Sequence, residues 1–130
     1  MRPKDATVDL SQLHPELRKL EPILDLVYIA FGREAIVTSA NDGTHRKGSL
    51  HYRDAAIDLR VKNIALVEAD QSHFHQALKR QVELAYPGEF DILLEGAGGP
   101  NAHIHAEASP RLVAKIFGEN NAKQVCAEPV

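Results

Sequence analysis

Apolar residues recur along this chain with two different periods, and the switches between the periods mark its elements. Residues 13–20 suggest a short helix with Pro15 in its first turn. Pro22 then restarts a second helix at its first position, because an interior proline would lose a hydrogen bond and clash with the preceding turn. Ile23, Leu24, Val27, Ala30 and Phe31 recur at helical spacing and mark its buried face, with Gly32 as a natural C-terminal cap. The period then falls to two. Residues 35–39 and 56–61 read as strands separated by a turn-rich stretch that begins Ala40-Asn41-Asp42-Gly43. In the second strand Ile57, Leu59 and Val61 point one way and Asp58 and Arg60 the other, so Asp58 faces away from the core. Asp70 or Ser72 caps a further helix reaching about residue 85, with Phe74, Leu78, Val82 and Ala85 on its apolar face and Pro87-Gly88 ending it. Residues 90–94 form a third strand, a Gly-rich loop spans 96–100, residues 102–108 form a fourth strand, and Pro110 opens a last helix to about Gly118.

This order predicts an α+β domain, a small and largely antiparallel sheet with helices packed on one face and the other face free to carry a site. At 130 residues the chain reads as a single domain, its core over about 13–118, with an N-terminal arm and flexible ends. A domain of this size removes roughly two-thirds of its unfolded surface from water, so neither disulfides nor partners are needed and a monomer is expected. The lone Cys126 excludes an internal bridge and argues against a thiolate cluster. A formal charge of -3, with both signs mixed along the chain, leaves no basic stripe for nucleic acid. The polar N-terminus lacks the apolar region of a signal peptide, and no apolar run approaches the ~20 residues that span a bilayer. The expectation is a protein made in soluble form in the cytoplasm.

Seven histidines are many for such a chain, and their positions sort them. His103 and His105 alternate with Ile104, so both imidazoles leave one face of a strand, about 7 Å apart at the backbone. His73 and His75 have the same spacing but lie on a helix, roughly 200° apart around its axis, and read as surface residues. His14 reads as a solvated residue at a helix start. His51 and Asp58 fall on opposite faces of one straight strand, so a turn at Tyr52-Arg53-Asp54 must fold His51 back over Asp58. His51, Asp58 and His105 would then offer two imidazoles and a carboxylate, a ligand set that zinc accepts with a fourth position left for water.

The wording around these residues is more specific than their spacing. The segment Ser49-Leu50-His51-Tyr52-Arg53-Asp54-Ala55-Ala56-Ile57-Asp58 resembles the Ser-x-His-x-x-Gly-x-Ala-x-Asp signature of the zinc D-alanyl-D-alanine carboxypeptidase family. That family includes vancomycin-resistance dipeptidases and phage endolysins, and it shares its fold with the hedgehog signalling domain. Ser-Leu-His-Tyr and Ala102-His103-Ile104-His105 are similar to the zinc-site segments of the hedgehog domain, and His45 stands six residues before His51 as a histidine does there. The resemblance implies zinc held by His51, Asp58 and His105, with His103 beside the metal to stabilise an oxyanion and His45 as a further catalytic residue or a fourth ligand.

The chain also departs from the pattern. Family members place a Glu three or six residues before the last zinc His, where this chain has Ala102 and Gly99. Glu95, at the end of the preceding strand, is the expected water-activating base, with Glu107 as its alternative. The Ser-Gly-Tyr-Arg that supplies a substrate arginine is replaced by Ser39-Ala40-Asn41-Asp42, and Arg33, Arg46 and Arg53 are the candidates to take its place. The signature Gly is Asp54. Asp42 is the remnant of the hedgehog calcium carboxylates, so no calcium is expected. The resemblance implies a zinc metallopeptidase acting on peptidoglycan stem peptides or cross-links, as a carboxypeptidase or endopeptidase working in the periplasm or cell wall of a bacterium or for a phage. The alternative is a hedgehog-like zinc-binding recognition module without turnover, and a metal-free structural domain is the third reading.

Overall fold

The computed structural model describes residues 1–41 and 54–118. Its five strands are β1 (Arg2–Pro3), β2 (Ile36–Ser39), β3 (Ala56–Arg60), β4 (Phe90–Glu95) and β5 (His103–Ala108), and its helices are α1 (Pro15–Arg18), α2 (Glu21–Ala30), α3 (Glu68–Ala85) and α4 (Pro110–Phe117). The sheet order is β1-β2-β3-β5-β4; β1 runs parallel to β2 and every other pair is antiparallel. This is the small α+β architecture that the periodicity implies.

One face of the sheet is apolar because its strands alternate. Ile57 and Leu59 of β3, Ile104, Ala106 and Ala108 of β5 and Phe90 and Ile92 of β4 are buried in one core with Leu17 of α1, Leu24, Val27 and Tyr28 of α2, Phe74, Leu78 and Val82 of α3, and Leu112 and Val113 of α4. Tyr28 packs edge-on against Phe74, ring centroids 4.7 Å apart, and its hydroxyl donates to the Arg60 carbonyl at 2.7 Å. That bond satisfies the one polar atom that the buried ring brings with it.

Several boundaries differ from expectation, each for a local reason. The N-terminal segment is no free arm: the Arg2 amide donates to Ala35 at 3.1 Å and the Lys4 amide to Val37 at 2.9 Å, the N-terminal amine pairs with Asp25, and Val8 is buried. Pro3 is tolerated because β1 is an edge strand. On α2 the third buried residue is Tyr28, while Ala30 is exposed. Helix α3 starts at Glu68, before both expected caps; Val67 precedes it in extended backbone without a side-chain cap, and Glu68 and Asp70 face the positive end of the helix dipole. Ser109 caps α4 by accepting from the Leu112 amide and donates in turn to the Gly88 carbonyl. His14 caps α1 through Nδ1 and meets Phe117 edge-on, so it is a packed cap rather than a solvated residue. His73 and His75 diverge as helical geometry requires: one touches the Phe31 ring, the other donates to the Ile92 carbonyl on edge strand β4. No helix among the described residues is long and apolar enough to cross a membrane.

Candidate metal centre

Strand register assembles the polar face. Asp58 lies opposite His105, which lies opposite Leu93; one step along, Arg60, His103 and Glu95 form a second row, and Ala56, Glu107 and Asp91 a third. Each row crosses three strands, so residues far apart in sequence become neighbours; apart from the buried Ala56, these rows lie on the polar side of the sheet. The β4–β5 connection fixes the second row. Gly96 and Gly98 adopt positive φ, and a Cβ on Gly98 would sit 3.1 Å from the Glu68 side chain. Gln71, fully buried on α3, accepts from the Gly98 amide at 2.8 Å and donates to the Ala65 carbonyl at 3.0 Å, while Lys62 donates to the Pro100 carbonyl at 2.6 Å. The loop that separates Glu95 from His103 is therefore anchored at two points, Gly98 and Pro100.

Asp58, Glu95 and His105 each present one ligand atom, all within 4.8 Å of one another, and could hold a metal ion. His105 Nδ1 lies 2.8 Å from Asp58 Oδ1 and 3.9 Å from Glu95 Oε1. Ligands about 2.1 Å from a tetrahedral zinc are separated by about 3.4 Å, so these distances bracket the required spacing. One imidazole and two carboxylates suit zinc and other first-row dications alike. His103 Nε2 flanks the group, 3.0 Å from Glu95 Oε1 and 3.7 Å from Asp58 Oδ1.

Ring protonation sharpens the chemistry. His103 Nδ1 faces the Asn101 carbonyl at 2.7 Å, and a carbonyl only accepts, so Nδ1 carries a proton. Its Nε2 is left facing two carboxylates. His105 has carboxylates at both nitrogens, Asp58 at Nδ1 and Glu107 at Nε2, the latter at 3.6 Å. A neutral imidazole can donate to only one of them, so serving both takes a second proton on the ring. Burial, the largest influence on His105, lowers its pKa, but the Asp58 and Glu107 carboxylates together outweigh burial and raise it to about 10. Asp91 is pushed up by burial and then by the charge of Glu107 opposite it.

The structure thus brings together Asp58, His105, His103 and Glu95 of the expected site. Glu95 stands within the candidate ligand group itself. His45 and His51 lie outside the described residues, as do Asp42, Arg46 and Arg53. Arg33 is occupied elsewhere, donating to the carbonyls of Asn63 and Gly32, and is not brought to this face. Arg60, opposite His103, is a cation beside the cluster whose signal was its alternation with Asp58. Asp54, where the signature carries Gly, has φ 59°, the left-handed backbone that glycine favours and aspartate tolerates. The departure from that signature in side chain is compatible with the backbone a glycine would adopt. No protein-family model, curated protein or solved structure matches this chain.

Proposed function

We propose that the protein is a zinc-dependent peptidase acting on peptidoglycan stem peptides or their cross-links, in the periplasm or cell wall. The observation that carries this reading is the convergence of Asp58, His105 and Glu95 on the polar sheet face with His103 beside them. Asp58 and His105 Nδ1 would hold the metal, joined by His51 as the family resemblance implies. Zinc would supply Lewis acidity toward a scissile carbonyl and a nearby water. Glu95, with 49% of its side chain exposed, is open to that water and would take its proton at Oε1. His103, held through Nδ1–H by the Asn101 carbonyl, would present Nε2–H to a developing oxyanion only as the imidazolium, protonated at both nitrogens beside the Glu95 and Asp58 carboxylates.

The test is mass spectrometry of purified peptidoglycan fragments incubated with the zinc-loaded protein, with a chelator-treated control. Loss of a terminal D-alanine or cleavage of a cross-link, sensitive to the chelator, is the expected result. A second reading has its own support: Glu95 Oε1 lies 3.9 Å from His105 Nδ1, near enough to ligate. If Glu95 holds the metal, it cannot also serve as the base, which favours a zinc-binding recognition module over an enzyme. Stoichiometric zinc without any product would select that reading.

A further inference from the structure

Glu107 is left without a role by the reading above, and its position is costly. It lies directly opposite Asp91 on the same face, and facing like charges destabilise a strand pair. Only a quarter of its side chain is exposed, so solvent does not fully relieve the repulsion. A locally unfavourable residue that packing does not require is a candidate for function. Its other neighbour is the His105 ring, two residues back on β5, whose Nε2 it meets at 3.6 Å while Nδ1 faces Asp58 and Glu95.

We propose that Glu107 is a positioning residue that holds His105 with Nε2–H toward itself and the Nδ1 lone pair toward the metal position. This rests on the metal-centre reading but not on catalysis. The physical case is one of tautomer and orientation. A histidine that ligates through one nitrogen must carry its proton on the other, and an anionic acceptor there selects that tautomer and makes the ligating nitrogen more basic. His105 has such an acceptor on the side away from the candidate ligands. At 3.6 Å the contact is longer than a full hydrogen bond, so Glu107 acts mainly through the attraction of its charge for the Nε2–H dipole. The side chain needs no contact with substrate.

Two variants separate this role from simple stability. Glu107→Gln keeps shape and hydrogen-bonding capacity but removes the charge; Asp91→Asn relieves the same repulsion and leaves the His105 partner in place. Zinc affinity is read by competition with a chromophoric chelator, and the ligating nitrogen by ¹⁵N NMR of the His105 ring in the zinc-loaded protein. The expected results are an affinity about 10- to 100-fold weaker for Glu107→Gln, unchanged affinity for Asp91→Asn, and metal on Nδ1 with a proton on Nε2 in the parent. Circular dichroism establishes that both variants are folded. Equal zinc affinity in Glu107→Gln and parent, or ligation through Nε2, overturns the proposal while leaving the metal centre intact. A parent protein that binds no zinc at all overturns both, and neither outcome depends on hydrolysis.

Discussion

Raising the pH of the metal-free protein should loosen it, and the His105 environment sets the window. An imidazole held at about 10 in the folded state, against 6.5 in the unfolded chain, contributes stability that is complete below about pH 6.5 and is lost by about pH 10. Such a displacement corresponds to at most about 5 kcal/mol. The His105 side chain is 13% exposed and Asp58 16%, but Glu107 is more open, and solvent screening reduces the figure to roughly 2–3 kcal/mol. For a domain of this length that is about 6–10 °C in thermal midpoint. The assay is thermal unfolding followed by circular dichroism at half-unit steps from pH 6 to 10 in the presence of a chelator, with Asp58→Asn run alongside. The variant removes the charge of the carboxylate whose hydrogen bond contributes most to raising the His105 pKa, so its midpoint should fall less over the same window; other titrating groups affect both proteins equally. Added zinc should stabilise the parent increasingly as pH rises, because it takes the position of the proton on Nδ1. A parent midpoint that falls no further than that of Asp58→Asn between pH 6.5 and 10 would refute the reasoning.

Other predictions concern single residues. Asp58→Ala and His105→Ala should each lose most bound zinc by elemental analysis, whereas Glu95→Gln should retain it and lower hydrolysis by about 10²- to 10⁴-fold; loss of zinc from Glu95→Gln would make Glu95 a ligand. Asp54→Gly should be tolerated within about 1 kcal/mol, and Asp54→Val should cost about 1–2 kcal/mol in urea unfolding, since a branched side chain resists the left-handed backbone. Gln71→Leu should destabilise by about 1–3 kcal/mol through the stranded Gly98 amide and Ala65 carbonyl, and shift the His103 ring resonances; unchanged His103 resonances would show that the loop holds its shape without Gln71.

Much of the fold is legible in the sequence where periodicity runs through several residues. The alternation around Ile57, Leu59, Ile104 and Ala106 identifies the core face, and the proline and glycine positions locate the ends of α2 and α4. Two-residue β1 has no period to read, and the start of α3 is hidden because its N-terminal turn lacks the side-chain cap that signals a helix start. At the site, the alternation of His103 with His105 and of Asp58 with Arg60 places each residue on its face from local geometry alone.

Which of those residues meet is a different matter. Intrinsic strand geometry dictates the face of a side chain within its own segment, so the chain by itself determined that Asp58, His103 and His105 leave the core. The register between segments depends on how the whole core packs, and only the tertiary structure decided that Asp58 pairs with His105, that Glu95 reaches the same cluster, and that Glu107 sits behind the imidazole with Asp91 opposite. A shift of one residue along β5 would have turned both histidines into the core; burial of Ile104, Ala106 and Ala108 against the helices is the force that prevents it.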